Sequence, residues 1–477
     1  MTTPQLEYKP INCWEIYTEP EQQSAIDNLA HRYVAFLSEC KTERLTVARV
    51  RELAMIAGYT EAFDTHKDRV LRVFRDKTIL LARRGWRSLS EGFRLLGAHS
   101  DAPRLDLKQR PLQEQCQVGQ AKTHYYGGIR KYQWLARPLA LHGVVVKDDG
   151  RIIAIHLGEE KHDPVFTIAD LLPHLACKQV EQKLADAFDA EKLNLVLGHA
   201  PCLDVTETKG MEKKYKSETA GKNAKNGNDL VKQRILKILY ERYGIVEEDL
   251  YSAELQVVPA GPARFVGLDS SLIGGYGQDD RICVFTGLEA LLTSTAPNHT
   301  QLVIFWDKEE IGSEGSTGAQ SMFLEYGIDD LITIWDPEVQ KSQALITTKA
   351  ISADVHGALD PDWQELHEKL NAARMGYGPC FCKFTGHRGK VGANDAHPEY
   401  VGWLRGLLNR HGIPWQIAEL GKVDLGGGGT IAKYLAKYGL DIIDCGPPLL
   451  SMHSPFELAS KVDLYATMLA YKAFLES

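Results

Sequence analysis

The 477-residue chain is 44% hydrophobic and 25% charged, an ordinary globular composition, long enough for two domains or for one domain carrying an insert. Its net charge of -8 offers no basic footprint for nucleic acid, and no apolar run reaches the roughly 20 residues needed to cross a bilayer. The first residues lack a basic region followed by an apolar one, and the nine cysteines are scattered without a CxxC, so the sequence predicts a cytoplasmic chain with reduced thiols.

Two helical patterns occupy 21–57, EQQSAIDNLAHRYVAFLSEC and TVARVRELAMIAG, with apolar residues three and four apart. GFRLLGAHSDAP then reads as a strand running into a loop. From about 106 to 254 the character changes: HGVVVKDDGRIIAIHLG predicts a hairpin around Asp148-Asp149-Gly150, beside aromatic-rich YYGGIRKYQWLARPLA. The low-complexity stretch ETKGMEKKYKSETAGKNAKNGND (207–229) predicts an exposed, mobile loop, followed by a helix, DLVKQRILKILYERYG.

Beyond 255, strand-like runs such as QLVIFW, ALITTKAIS, CFCKF, IPWQIAEL and LDIIDCG alternate with helical patterns such as PEYVGWLRGLLNRHG. This alternation predicts an α/β fold with a mainly parallel sheet flanked by helices. Cys380 and Cys382 alternate along one such strand and read as small hydrophobes. The run GGGG at 426–429 lacks the GxxxxGK[ST] arrangement of a phosphate loop and reads as a turn before a helix.

In α/β sheets ligands bind beyond the carboxyl ends of the strands. At those ends the chain places His99 and Asp101 in GAHSDAP, Asp279 and Asp280 in GGYGQDDRICVF, and Asp307, Glu309 and Glu310 in VIFWDKEEIG. Asp354 and His356 follow in ISADVHGA, and His453 in LLSMHSPFE. Taken singly, each has a plain explanation: a packed histidine, a helix cap or a solvated turn. Together they form a set of imidazoles and carboxylates suited to zinc, with manganese or cobalt as alternatives. A carboxylate can bridge two ions about 3.5–4 Å apart, leaving an uncoordinated carboxylate to take a proton from water. The adjacent Glu309 and Glu310 provide for that division of labour.

The motifs HSDAPRLDLK, GQDDRICVF, DKEEIGSEGS, ISADVHGALD and SMHSPFE resemble, in order and spacing, the aspartyl aminopeptidase/aminopeptidase I family of dinuclear zinc metallopeptidases. The resemblance extends to YYGGIRKYQWLARPLALHG and LLPHLA in the insert. It implies two zinc ions per subunit held by His99, Asp279, Glu310, Asp354 and His453, with Asp279 as the bridge and Asp280 as its adjacent alternative. Glu309 would be the general base, and Asp101 would orient a ligating imidazole.

The resemblance also implies that His174, in LLPHLA, reaches substrate in a neighbouring subunit's site; without it, His174 reads as a buried helix-end histidine. His356 corresponds to a substrate-contacting or oxyanion-donating histidine that the family places one position later. Lys383 corresponds to a lysine near the substrate side chain, and is otherwise a surface lysine on an edge strand. The implied architecture is a zinc-peptidase domain split between 1–105 and 255–477 around a β-rich insert, 106–254, which mediates dimerisation and assembly into a dodecamer. The implied activity removes the N-terminal residue, acidic or neutral, from peptides with a free N-terminus. Two other readings stay open: a dinuclear-metal deacylase, and a non-catalytic scaffold relative.

Overall fold

The 301–306 run, QLVIFW, forms a strand buried on both faces. In this computed structural model, which describes residues 6–202, 229–295 and 297–477, it lies inside an eight-stranded sheet. The order is Arg69–Phe74, Thr78–Arg83, Gln301–Trp306, Arg94–His99, Lys349–Ser352, Asp441–Gly446, Cys380–Cys382, Gln416–Ile417. Strand alternation sends Val303 and Phe305 to one side, into a core with Leu288 and Leu464 of the helices Gln278–Thr293 and Lys461–Leu475. Leu302, Ile304 and Trp306 point the other way, into a second core with Phe323, Leu324 and Ile328 of the helix Phe323–Trp335. Because both faces are covered, the strand reads as a continuous apolar run rather than an alternating one.

The expectation of a mainly parallel sheet needs correction. Four pairings of this sheet are parallel and three are antiparallel. Arg69–Phe74 and Thr78–Arg83 form a tight hairpin through Arg75 and Asp76, both at positive φ, and a hairpin can only pair antiparallel. With the other sheets included, the strands pair largely antiparallel. Parallel pairing is concentrated at the centre, where the strands are linked through helices.

That centre sets the position of the site. In the parallel register Trp306 lies opposite His99, and Ser352 lies opposite Gly97. The carboxyl ends of three strands therefore finish together, and the segments bearing His99, Glu309 with Glu310, and Asp354 leave from one edge. A five-stranded sheet, Arg264–Val266, Leu272–Gly275, Glu457–Ser460, Pro448–Leu450 and His356–Gly357, contributes Gly275 opposite Glu457.

The chain divides into two compact units, residues 1–103 with 262–477, and residues 104–261. The second unit contains a seven-stranded antiparallel sheet and the helix Leu230–Tyr243. Its closing boundary lies past the expected 254 because the strand Ala253–Pro259 pairs with Leu139–Val146 and Arg104–Gln115. Pairing of that kind leaves no local mark in the sequence. The 207–229 stretch lies almost wholly outside the described residues. Among the described residues no helix is long and apolar enough to cross a membrane.

Two smaller expectations also change. IPWQIAEL yields only the two-residue edge strand Gln416–Ile417. The glycine run does not open directly into a helix, because Gly427 and Gly428 first pair with Gly386 and His387 as a two-stranded ribbon. Since the central strand carries both cores, Phe305→Ala is expected to cost about 3–5 kcal/mol, measured as a lower denaturation midpoint in urea. A change within error would mean that the two-sided packing of this strand does not hold the sheet.

Candidate active site

His99 is the last residue of the strand Arg94–His99, and its ring is held from both sides. Nδ1 lies 3.1 Å from the Asp101 carbonyl oxygen and 3.2 Å from Asp101 Oδ1. Both are acceptors, so Nδ1 carries a proton, and Nε2 donates to Asp279 Oδ1 at 3.1 Å; burial opposes the charge, but the hydrogen bonds to Asp101 and Asp279 raise the imidazole well above its usual pKa. The other oxygen of Asp279, Oδ2, is 3.1 Å from His453 Nε2. Asp279 thus spans two imidazoles with one carboxylate. Glu310 Oε1 approaches the same His453 nitrogen at 3.5 Å.

Asp279 and Asp280 do not act as helix caps. They open the helix Gln278–Thr293 with non-helical backbone, after Gly277 at φ +73. Gly277 is needed on two counts: the conformation favours glycine, and a Cβ there would sit 1.7 Å from the buried Arg281 guanidinium. Asp280 turns inward, and its Oδ2 accepts the His99 backbone N–H at 3.3 Å. Asp354 follows the strand Lys349–Ser352, where Gly446 allows close approach, since a Cβ there would lie 2.1 Å from the Asp354 carbonyl oxygen.

Among the described residues two groupings of potential metal donors result, His99 with Asp279 and Glu310, and His99 with Asp280 and Asp354; within each, one donor atom per residue lies within 4.8 Å of the others. Asp280, the adjacent alternative to Asp279 in the sequence, therefore joins the cluster beside it. Burial raises the Glu310 and Asp354 carboxyls well above their usual range, with Asp279 adding to the effect. Burial also opposes ionisation of Asp279, but hydrogen bonds from His453 and His99 outweigh it and hold that carboxyl low. Burial likewise works against a charged His453, yet Glu310 and Asp279 carry the imidazole up to about 10. Glu310 Oε1 is buried without a hydrogen-bond donor. A donor set this rich in carboxylates, with an acceptor oxygen left over, fits divalent cations.

Glu309 and Glu310 start a short 3-10 turn, Glu309–Ile311, immediately after Lys308 at φ +69. Asp101 fixes that turn as well as the imidazole: its Oδ1 accepts the Glu309 N–H at 3.1 Å and its Oδ2 the Glu310 N–H at 3.2 Å. Asp307 closes the loop by accepting the Thr317 hydroxyl at 2.8 Å. Burial pushes the Glu309 carboxyl up to about 7, the value that suits a group exchanging protons near neutrality.

The remaining candidates are not members of these groupings. His356 is buried, burial pushes its imidazole down to about 4, and its Nε2 has no hydrogen-bond partner. Its Nδ1 faces the Gly357 carbonyl oxygen at 3.2 Å, so that nitrogen carries the proton and Nε2 is an acceptor. His174 sits exposed on the turn Pro173–Leu175, not buried at a helix end, and Lys383 is exposed just past the strand Cys380–Cys382.

The sequence reading passed over Glu457. It stands four residues beyond His453, is 1% exposed, and accepts backbone N–H groups from His453, Gln278 and Asp279. The one available signal was a charged residue four places after a ligand candidate within SMHSPFE.

His99, Glu310 and Asp354 from the ends of central parallel strands, joined by Asp279, Asp280 and His453 from the margins of the five-stranded sheet, make a cluster of imidazoles and buried carboxylates suited to a metal-dependent hydrolase. Residues 36–475 match the family model described as aminopeptidase I zinc metalloprotease (M18). A probable M18 family aminopeptidase 1 from Clostridium acetobutylicum is 44% identical, over 99% of this chain and 98% of its own. The crystal structure of an M18-family aminopeptidase from Thermotoga maritima superposes with a TM-score of 0.89 at 43% identity, over 98% of this chain and all of that one. A structure described as an S. cerevisiae mApe1 dodecamer shares the fold, with a TM-score of 0.73 at 20% identity, over 94% of this chain and 97% of that one. The chain belongs to the M18 family and is a zinc-metalloprotease aminopeptidase, a hydrolase.

Because Asp101 holds both the His99 ring and the turn carrying the two glutamates, Asp101→Asn is expected to lower kcat about 10–100-fold. An amide presents only one acceptor oxygen to donors that now occupy two. Steady-state kinetics on an aminoacyl-nitroanilide checks this, and an unchanged kcat would reduce Asp101 to a packing residue.

Proposed function

We propose that this aminopeptidase uses two zinc ions, held by His99, Asp279, Glu310, Asp354 and His453, with Glu309 as its general base. The observation that carries this reading is Asp279, whose two carboxylate oxygens each lie 3.1 Å from a different imidazole. A carboxylate in that position suits a bridge between two ions. Bound zinc would supply Lewis-acid polarisation of the scissile carbonyl and a lower pKa for a bound water; manganese or cobalt could replace it.

The chain's own residues do the rest. Asp101 keeps the His99 ring in the tautomer that presents Nε2 as a donor atom. Glu309, partly accessible and free of a role in the two donor groupings, removes a proton from the attacking water. As the water oxygen joins the carbonyl carbon and the C–N bond breaks, Glu309 returns that proton to the leaving amine. His356, with an unprotonated Nε2, accepts an N–H of the substrate rather than donating to its carbonyl oxygen.

The insert is proposed to mediate dimerisation and, like the S. cerevisiae relative described above, assembly of dimers into a dodecamer. The exposed His174 would then extend from the insert toward substrate in a neighbouring subunit. Nine free cysteines, seven of them buried, suit a cytoplasmic location.

The central test separates the paired glutamates. Glu309→Gln is expected to keep both metals while turnover falls roughly 10²–10⁴-fold, because an amide cannot accept a proton at neutral pH. Glu310→Gln is expected to lose metal, since a neutral amide is a poor substitute for an anionic ligand. Elemental analysis beside the rates reads both outcomes. Metal loss in Glu309→Gln with full occupancy in Glu310→Gln would reverse the roles, and two active variants would dismiss the pair from the chemistry.

Specificity rests on Lys383. Its exposed ammonium beyond the strand Cys380–Cys382 suits pairing with an acidic first residue of the peptide. Lys383→Met is expected to weaken turnover of N-terminal Asp or Glu peptides about 2–5-fold relative to Leu peptides, the modest worth of an ion pair made by an exposed lysine. Equal losses in a dipeptide panel would assign the enzyme to neutral residues and Lys383 to the surface.

A further inference from the structure

Glu457 is a buried carboxylate with no role in the chemistry above, yet its two oxygens are committed to the segments that carry two of the proposed ligands. Oε1 accepts the His453 N–H at 2.8 Å. Oε2 accepts the Gln278 N–H at 2.5 Å and the Asp279 N–H at 3.3 Å. The backbone of Glu457 adds a further tie, because its carbonyl oxygen accepts the Gln278 side-chain amide at 2.7 Å. Its own position is set by the strand Glu457–Ser460, which pairs residue by residue with Leu272–Gly275.

Both clamped segments have backbone that needs holding. His453 itself lies at φ +64 and Ser451 at φ +58, left-handed conformations that a side chain disfavours. Gly277, at φ +73, immediately precedes the other segment. Neither segment is in a strand or a regular helical turn at the ligand itself, so the repeating backbone ladder does not fix them. Glu457 supplies the missing acceptors, and it does so for both segments with one rigid group.

We propose that Glu457 is a positioning residue that sets the separation between Asp279 and His453, and so the geometry of the zinc that both would hold. This rests on the assignment of Asp279 and His453 as ligands. The chemistry of the clamp predicts an asymmetric effect of Glu457→Gln. An amide has a single acceptor oxygen, and two of the three N–H donors converge on one side. The amide oxygen turns to those two, and its NH2 group then meets the His453 N–H, donor against donor. The His453 side loosens while the Asp279 side is kept. Glu457→Asp retains the charge but is one methylene shorter and reaches only one of the segments.

The test uses the full-length enzyme, stripped with a chelator and titrated with zinc alone under metal buffering, with the wild type beside Glu457→Gln and Glu457→Asp. Expected are two zinc ions per wild-type subunit and, in both variants, one of the two bound about 10–100-fold more weakly. Cobalt(II) substituted at the weakened site is expected to show an altered visible absorption spectrum, and the metal-free variants to melt close to metal-free wild type. Wild-type zinc affinity at both sites in the variants overturns the proposal. So does a large drop in metal-free melting temperature with unchanged zinc binding, which makes Glu457 a folding residue only. A wild type that binds a single zinc would instead refute the two-zinc reading, and in that case an unweakened zinc in Glu457→Gln refutes the clamp separately.

Discussion

The structure depends on one electrostatic constraint: several carboxylates are buried together at the end of a sheet. Two like charges about 4 Å apart repel by about 4 kcal/mol at the effective dielectric of a protein. Asp279, Asp280, Glu310 and Asp354 share donor distances of that order around one imidazole. Burial raises the Glu310 and Asp354 carboxyls, with neighbouring carboxylates adding to it, and Glu310 and Asp279 raise the His453 imidazole against its own burial. Stability for such an arrangement has to come from elsewhere in the fold, and cation binding becomes coupled to it.

The two cores on either face of the central strands provide that support. They immobilise the strand ends, so that ligand positions are decided by register rather than by the ligands' own contacts. Trp306 opposite His99 is the register pair that matters most, because it brings the two glutamates to the imidazole from a different part of the chain. Loops beyond the strand ends need a second kind of restraint. Here buried carboxylates accept backbone N–H groups, Asp101 from the glutamate turn and Glu457 from the segments of Asp279 and His453. The same residue type that creates the repulsion is used, one layer out, to fix where it occurs.

Much of this could be read from the chain, and what could not has identifiable causes. The ligand candidates were legible because each follows an apolar run, and the strand ends are where such residues have little structural reason to gather. The hairpin strands Arg69–Phe74 and Thr78–Arg83 were not legible at all, since Arg69–Phe74 is only half-buried and charged residues interrupt its apolar run. The insert's closing strand, Ala253–Pro259, was misplaced because only its non-local partners assign it. Glu457 was missed for a similar reason: its partners are backbone N–H groups, which every residue has. The tautomer of His356 was not legible either, because it depends on a carbonyl that only the folded backbone puts beside Nδ1.

The pairing of Glu309 with Glu310 follows from the turn that carries them. In an extended strand adjacent side chains point to opposite faces, so one of two neighbours would face the wrong core. In a 3-10 turn successive side chains diverge by about 120°, three residues completing a circle. The turn Glu309–Ile311 therefore lets neighbouring carboxylates enter one site along different directions. Asp101 accepts both their N–H groups, one on each oxygen, which fixes the turn rather than either side chain. Glu310 is directed inward, to His453, while Glu309 is only partly buried. Two identical residues in sequence thus acquire different environments from a single turn of backbone.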